Sequence, residues 1–250
     1  MRVISFCSQG IVSAAERGFF DWVIKQDADI ICIQDLRAEE KDLHDDVFFP
    51  EGYFPYFFDS PGGNNGVAIY CRQMPKAIMR GLGFIEFDDQ ALYIQADYEE
   101  ISIGSLMIPG STSTDVDSLE KKFSFLDKYM VHLEKIAKKR KHLLIAGNWN
   151  IAHKTHDVDD AEKMNNTPGF MLEERRWMDR VLGELSYCDA FREINKDDDE
   201  FTYISGDKRM RLDYQIVSNS FKPQINHGAV YKVKQFGEHA PLIMDYDYEF

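Results

Sequence analysis

Short apolar segments recur along this chain of 250 residues, and their length is typical of buried strands. They are Val3–Phe6, Ile30–Ile33, Gly66–Cys71, Leu92–Ala96, Ile101–Ile108, Leu143–Ala146, Leu212–Val217 and Leu242–Asp247. Helical patterns alternate with them in the first and third quarters, whereas strand patterns follow one another between about residues 66 and 108. A layered α/β fold is the simplest arrangement that buries such a mixture.

Three segments have the pattern of amphipathic helices. Ser13 and Glu16 form a capping box, which predicts a helix that starts there and buries the aromatic residues after it. Residues 116–138 carry apolar side chains at spacings of three and four, and Glu173–Leu182 predicts a further helix. With the strands, these helices predict a four-layer α/β/β/α sandwich of two packed mixed sheets flanked by helices. No linker or repeat divides the chain, so we expect one domain over residues 1–250.

The net charge is −14, from 29 basic and 43 acidic residues. Proteins that bind duplex DNA usually present a basic face, because neutralisation of phosphates supplies most of their affinity. The composition therefore predicts weak or no binding to free nucleic acid. It favours as partner a basic protein, or nucleic acid that is already bound to one.

Neither a signal peptide nor a membrane span is visible in the sequence. Met1–Phe6 leads directly into a strand pattern, and no apolar stretch approaches the roughly 20 residues that cross a bilayer. The four cysteines, Cys7, Cys32, Cys71 and Cys188, are scattered and form no C-x-x-C pair, which favours buried apolar roles over zinc or redox roles. We expect a cytoplasmic protein with no membrane association.

Polar blocks follow several of the apolar segments, and Gly-Asn-Trp-Asn at residues 147–150 is the most informative of them. In chain order the blocks are Ser5-Phe6-Cys7, Gln34-Asp35, Gly66-Val67-Ala68-Ile69-Tyr70, Ile108-Pro109, Gly147-Asn148-Trp149-Asn150, Pro168-Gly169-Phe170, Glu173-Glu174-Arg175, Arg211-Leu212-Asp213-Tyr214 and Gly237-Glu238-His239-Ala240-Pro241. This order resembles the exonuclease III branch of the endonuclease/exonuclease/phosphatase superfamily from end to end. The resemblance implies the exonuclease III or DNase I-like fold.

The chemistry implied by the resemblance uses Mg²⁺ held by carboxylates, an Asp that activates water, and a His supported by an Asp. Asn150, Asp213 and His239 match that pattern. Five positions depart from it: Cys7 replaces a metal-site Asn, Asp35 a Glu ligand, Met107 a phosphate-positioning Tyr, Asn148 the water-activating Asp, and Glu238 the Asp before the His. An amide cannot take a proton at neutral pH, and loss of a general base costs about two to four orders of magnitude in rate.

From these departures we expect no enzymatic activity and no cofactor. One alternative is a weak Mg²⁺-dependent exonuclease III-like nuclease or phosphodiesterase that uses Asp35 and Glu238 as metal ligands, together with His239. Another is a pocket that binds a small phosphate ester and signals. The matching residues also have a structural interpretation, in which Asp213 and His239 form a buried pair between two sheets and Asn150 caps a strand end.

Within this branch, several stretches are most similar to the catabolite repression control (Crc) proteins. They are Ala14-Ala15-Glu16-Arg17-Gly18, Asp29–Asp35, Pro75-Lys76-Ala77, Gly81-Leu82-Gly83-Phe84, Tyr93–Asp97 and His239–Asp247. This resemblance implies a non-enzymatic translational repressor in carbon catabolite repression. Such a protein would act with the RNA chaperone Hfq on A-rich mRNA.

Two basic clusters are candidates for contact with a partner or RNA. Lys138, Lys139, Arg140 and Lys141 end the long predicted helix, where their charge also complements the helix dipole. Lys208 and Arg209 lie between Ser205 and Arg211, which only five residues separate, so the loop that grips a duplex in the family is expected to be missing or very short.

Overall fold

The computed structural model describes residues 1–112, 114–139, 141–196 and 200–250, and within these ranges it contains two six-stranded mixed sheets and one hairpin. In spatial order, the first sheet consists of β13 (Ile225–Val230), β14 (Leu242–Tyr246), β1 (Arg2–Cys7), β2 (Ile30–Gln34), β4 (Gly66–Cys71) and β3 (Phe54–Asp59). The second consists of β5 (Ala77–Arg80), β6 (Tyr93–Asp97), β7 (Ile101–Met107), β8 (His142–Asn148), β12 (Asp213–Ser218) and β9 (Tyr187–Asp189). The hairpin pairs β10 (Tyr203–Ser205) with β11 (Lys208–Met210).

The helices are α1 (Ile11–Glu16), α2 (Phe19–Val23), α3 (Ile85–Asp88), α4 (Val116–Ala137), α5 (Ala161–Met164), α6 (Leu172–Asp179) and α7 (Ala190–Ile194). Short 3₁₀ turns span Ile24–Gln26, Glu40–Asp42, Asp46–Phe48, Thr155–Asp157 and Asn219–Gln224, and a π turn, Arg180–Glu184, continues α6. The two longer predicted helices are thus confirmed as α4 and α6. In the part of the chain that the structure describes, no helix has the length and apolar character needed to span a membrane.

Apolar side chains fill the three interfaces between the four layers. Val3, Ile103 and Leu144 belong to the cluster between the two sheets. Aromatic residues of α2 pack on the outer face of the first sheet, and α4 and α6 cover the outer face of the second. Each fully buried side chain of this kind contributes about 1.5–3 kcal/mol relative to an exposed one. The predicted four-layer sandwich is confirmed, and all four cysteines are free and buried, as expected.

The predicted capping box is wrong. Helix α1 begins at Ile11 rather than after Ser13, and Gly10 precedes it with a φ of 113° and no side-chain cap. The backbone N–H groups of Gly10 and Ile11 instead donate to the carbonyls of Asp35 and Leu36, at 2.9 and 2.8 Å. The chain that leaves β2 therefore holds the first turn of the helix, and a local side-chain cap is not needed.

Candidate functional site

The polar residues predicted from the sequence meet where strands of both sheets end. β1 is parallel to β2, and β7 is parallel to β8, so each pair brings its carboxyl ends to the same edge. Met107 pairs with Asn148, and Asn148 pairs with Asp213 on the other side. A cleft of about 470 Å³ opens at this edge, and its walls include Cys7, Asp35, Met107, Asn148, Asn150, Lys208 and His239.

Asn148 reaches the cleft because Gly147 precedes it. A Cβ atom at Gly147 would lie 1.9 Å from the carbonyl oxygen of Leu106, so any other residue would push β8 away from β7. The Asn148 amide makes two hydrogen bonds: Nδ2 donates to Cys7 Sγ at 3.4 Å, and Oδ1 accepts from the Asn150 N–H at 2.9 Å. The amide holds the cleft wall together, and it offers no site for a proton at neutral pH.

Asn150 connects the ends of two strands. Its Nδ2 donates to the carbonyl of Ile108 at 2.6 Å, and its backbone has a φ of 51°. This contact ties the segment after β8 to the segment after β7. The contact has the form expected from the strand-end interpretation, and Asn150 also lines the cleft.

His239 and Asp213 form a buried pair between the sheets. His239 Nδ1 lies 2.7 Å from Asp213 Oδ2, and the side chains are 4% and 1% exposed. Burial alone lowers the pKa of His239, but the Asp213 carboxylate and the neighbouring Cys7 thiol raise that pKa well above its ordinary value. This environment favours the protonated form of the His239 ring. The pair joins the two sheets and lines the site at once.

Asp35 is already paired with a cation from its own loop. Arg37 donates from Nε to Asp35 Oδ1 at 3.0 Å and from Nη2 to Oδ2 at 2.7 Å. The Asp35 side chain is 7% exposed and that of Arg37 is 53% exposed. The carboxylate thus lies at the bottom of the cleft with both oxygens engaged, and the guanidinium lies above it in the wall.

The residues present do not fit the magnesium site of the alternative hypothesis. Glu238 is exposed and outside the cleft wall, where it accepts hydrogen bonds from Gln9 and Ser205 that lower its pKa. Asp35, the other expected ligand, is engaged by Arg37. Among the described residues, no three His, Cys, Asp or Glu side chains lie close enough together to hold a metal ion. Mg²⁺ prefers several hard oxygen ligands, and among the described residues that line this cleft only Asp35 carries a carboxylate.

Lys122 is a cleft residue that the sequence did not predict. It projects inward from α4, and its Nζ donates to the carbonyl of Asn150 at 2.8 Å and contacts the carboxylate of Glu174 on α6. Burial lowers the pKa of Lys122, and the Glu174 carboxylate opposes that shift. The signal in the sequence was a lysine among the inward-facing apolar positions of a long helix.

The cleft differs in charge from the rest of the molecule. Its walls carry the basic side chains of Arg37, Lys122, Lys208 and His239, and the first, second and fourth of these pair with the carboxylates of Asp35, Glu174 and Asp213. The whole chain has a net charge of −14. A concave site whose walls are rich in hydrogen-bond donors is suited to an anion such as a phosphate ester.

The two predicted basic clusters lie in different places. Lys208 and Arg209 are exposed on β11, and Lys208 reaches the cleft wall. Lys138 and Lys139 are exposed at the end of α4, Lys141 pairs with Asp97 at 3.2 Å, and Arg140 lies outside the described residues. Lys139 and Lys141 border a separate groove of about 340 Å³ with Ser218 and Ser220. The duplex-gripping loop is here a hairpin with Gly206 and Asp207 at its turn.

Residues 10–226 match the model of the endonuclease/exonuclease/phosphatase family. The chain is 28% identical to recombination repair protein 1 of Drosophila melanogaster, over 97% of this chain and 36% of that protein. It is 25% identical to a DNA-(apurinic or apyrimidinic site) endonuclease of Dictyostelium discoideum, over 97% of this chain and 69% of that protein. It is also 25% identical to an exodeoxyribonuclease of Bacillus subtilis, over 97% and 98% of the two chains.

The fold is shared with a solved AP endonuclease from Archaeoglobus fulgidus. The two structures superimpose with a TM-score of 0.88 at 22% identity, and the match covers 99% of this chain and 100% of the other. The predicted exonuclease III-like fold is thereby confirmed. The closer likeness to the catabolite repression control proteins stays a prediction.

The expectation that this chain is not an enzyme is wrong. Two of the relatives are named as nucleases, and they match this chain along 97% of its length. The expectation rested on the five replacements at the site, among them Asn148. Asn150 and His239 line one cleft, and Asp213 holds the His239 ring in place.

Proposed function

Since this chain belongs to the endonuclease/exonuclease/phosphatase family, we propose that its cleft binds the phosphate groups of nucleic acid and that it controls mRNA after transcription. It acts with the RNA chaperone Hfq on A-rich mRNA targets and represses their translation in carbon catabolite repression. A cytoplasmic location is part of this proposal.

The distribution of charge carries the proposal. The cleft wall presents the basic side chains of Arg37, which pairs with Asp35, of His239, which pairs with Asp213, and of Lys208, within a molecule whose net charge is −14. Long-range repulsion weakens the encounter with a free polyanion, whereas the basic cleft favours a phosphate that is delivered at close range. An RNA already bound to Hfq meets both conditions, since the chaperone supplies the docking energy.

Two further observations support the partner. The stretches that resemble the catabolite repression control proteins run from Ala14 to Asp247, so the likeness is not confined to one motif. Lys138 and Lys139 are exposed at the end of α4, and Lys208 and Arg209 are exposed on β11. These two clusters offer separate contacts for a protein partner and for RNA.

Co-sedimentation of the purified chain with Hfq and an A-rich RNA tests this proposal. We expect a ternary complex that forms only when all three components are present. Charge reversal in a Lys139→Glu, Arg140→Glu, Lys141→Glu variant, or in a Lys208→Glu, Arg209→Glu variant, is expected to weaken it. Lys121→Glu, an exposed change on α4, is the control. Absence of a ternary complex with the unmodified chain contradicts the proposal.

Hydrolysis of nucleic acid phosphodiesters is a second candidate function. The buried Asp213–His239 pair favours it, because a positive ring held at 2.7 Å from its carboxylate stabilises negative charge on a reacting phosphate. The Dictyostelium and Bacillus relatives are named as an endonuclease and an exodeoxyribonuclease. Incubation of the chain with an abasic-site duplex and Mg²⁺ or Mn²⁺ tests this activity. Cleavage that His239→Ala leaves unchanged would exclude this cleft as its source.

A further inference from the structure

Arg37 and Asp35 form a forked pair that leaves part of the guanidinium free. Nε and Nη2 donate to the two carboxylate oxygens, and no described residue accepts a hydrogen bond from Nη1. The Arg37 side chain is 53% exposed and lies in the cleft wall. We propose that the Arg37 guanidinium, held by Asp35, binds a nucleic acid phosphate in this cleft in place of a divalent cation. The inference rests on the proposed function, because it names what the cleft uses to hold its phosphate.

A guanidinium and a divalent ion compete for the same carboxylate. Each Asp35 oxygen already accepts a hydrogen bond from Arg37, and the carboxylate is 7% exposed. Arginine keeps its charge at every physiological pH, so loss of a proton from Arg37 does not release the Asp35 carboxylate. A divalent ion that bound Asp35 would have to displace the guanidinium or sit against it, and the two cations would repel each other.

The loop that carries the pair is held firmly from both sides. Asp35 and Arg37 both have positive φ values, 56° and 47°, which ordinary side chains rarely adopt. Backbone hydrogen bonds fix this shape: Gly10 N–H donates to the Asp35 carbonyl at 2.9 Å, and Leu36 N–H donates to the Gly66 carbonyl at 3.1 Å. The guanidinium is thus presented in one orientation, which reduces the entropy lost when a ligand binds.

The rest of the wall supplies donors for the same ligand. Lys208 lies on the hairpin, and His239 presents its positive ring from the loop before β14. Ser111 Oγ also lines the cleft, is shielded from solvent and has no hydrogen-bond partner among the described residues. A bidentate or charge-assisted contact from Arg37 together with these donors matches the oxygens of a phosphate ester. The volume of about 470 Å³ is of the size that holds a small ligand such as a nucleotide.

Binding of a labelled tetra-adenylate with a terminal phosphate, measured by fluorescence anisotropy on the isolated chain, tests the inference. The unmodified protein is expected to bind this short oligonucleotide weakly but measurably, and equally well in excess EDTA and in Mg²⁺. Arg37→Gln is expected to weaken binding in EDTA by about tenfold or more, since a hydrogen bond to a charged group contributes about 1.5–3 kcal/mol. The matched control is Arg72→Gln, which removes another Arg–Asp pair, that with Asp27, outside the cleft.

The affinity for a metal ion is a second measurement, and Arg37→Gln is expected to change it in the opposite direction to the affinity for the oligonucleotide. Arg37→Gln frees the Asp35 carboxylate, so the variant is expected to bind Mn²⁺ more tightly than the unmodified chain, as followed by the electron paramagnetic resonance signal of unbound Mn²⁺. The inference is overturned if the unmodified chain requires Mg²⁺ to bind the tetra-adenylate or fails to bind it. It is also overturned if Arg37→Gln binds the oligonucleotide as tightly as the unmodified chain. Hfq is absent from both measurements, so failure of the ternary complex leaves this result unaffected.

Discussion

Lys122 and Glu174 form an ion pair in the interior of the protein, with 1% and 0% of their side chains exposed. The pair joins α4 to α6 and also supports the cleft. Lys122 Nζ donates to the Asn150 carbonyl at 2.8 Å, and Glu174 accepts from the backbone N–H groups of Gly169 and Met171 at 3.1 and 2.8 Å. These polar contacts therefore fix segments that line the cleft or hold its walls in place.

Removal of the lysine is expected to be costly. Lys122→Met leaves the Glu174 carboxylate buried without its cation, and breaking such a pair typically costs about 3–5 kcal/mol in the free energy of unfolding. Urea denaturation measures the loss. The control is Lys121→Met on the exposed side of the same helix, which is expected to stay within about 0.5 kcal/mol of the unmodified protein. Equal stability of the two variants would show that Lys122 is not the counter-ion assigned to it.

A second buried network predicts a dependence of stability on acid. Asp157 lies between Arg211 and Arg192, and although burial raises its pKa, the two guanidinium groups hold that pKa well below its ordinary value. A depressed pKa gives stability that is present above the unfolded value of about 4 and is lost as the pH falls below it. Asp157→Asn is expected to destabilise the protein by about 3–5 kcal/mol at pH 7.

The pH profile separates this effect from a loss of packing. The difference in unfolding free energy between the unmodified protein and Asp157→Asn is expected to shrink as the pH falls from about 4, because acid progressively removes the same charge from the unmodified chain. The exposed Asp159→Asn is the control, with no such trend. A difference that stays constant down to strongly acidic pH would contradict the depressed pKa.

His239 predicts a trend at the other end of the pH scale. Its pKa is raised in the folded state, despite burial, by Asp213 and Cys7. A raised pKa gives stability that is fully present below the unfolded value of about 6.5 and is lost as the pH rises through the folded value. The advantage of the unmodified protein over His239→Gln in urea denaturation is therefore expected to be largest below that pH and to fall under alkaline conditions. An advantage that grows with pH would mean that the ring is neutral in the folded protein.

The sequence predicted the central strands and missed the edges. All eight predicted strands exist, and they are the inner strands of the two sheets. Of the six that were not predicted, β13, β3, β5 and β9 lie at the four sheet edges, and β10 and β11 form the separate hairpin. An inner strand is buried on both faces and reads as a continuous apolar run. An edge strand is partly exposed, as in Ala77–Arg80, and loses that signal.

The site residues, like the strands, were predicted only where the sequence carries a local signal. Asn148 ends β8, Asp213 begins β12 and His239 precedes β14, so the motif order along the chain fixes their place. Arg37 and Lys122 belong to no motif. The role of Arg37 depends on its contact with Asp35, and the role of Lys122 depends on its contact with Glu174, which lies 52 residues further along the chain. In the sequence, Arg37 was visible only as a charged residue close to a candidate ligand. Lys122 was visible only as a charged residue among the apolar positions of a helix. The charge on the cleft is thus a tertiary property.

The last prediction concerns Asn148 and catalysis. Asn148→Asp keeps an oxygen for the Asn150 N–H and adds a group that can accept a proton, within a wall that also carries Arg37 and His239. Cleavage of an abasic-site duplex in Mg²⁺ is expected to rise by about tenfold or more over the unmodified chain. The rise is expected to fall short of the roughly hundred- to ten-thousandfold value of a full general base, because Asp35 remains engaged by Arg37.

Adding Arg37→Gln to Asn148→Asp then frees the second carboxylate, so the double variant is expected to cleave the duplex faster than Asn148→Asp alone and to depend more steeply on Mg²⁺. Asn166→Asp, an exposed change outside the cleft wall, is the control for added negative charge. If the double variant is no faster than Asn148→Asp, the engaged state of Asp35 is not what limits catalysis in this cleft. The comparison thus tests whether the Asp35–Arg37 pair and the Asn148 amide act on the same chemistry, since two independent defects would give multiplicative gains in rate.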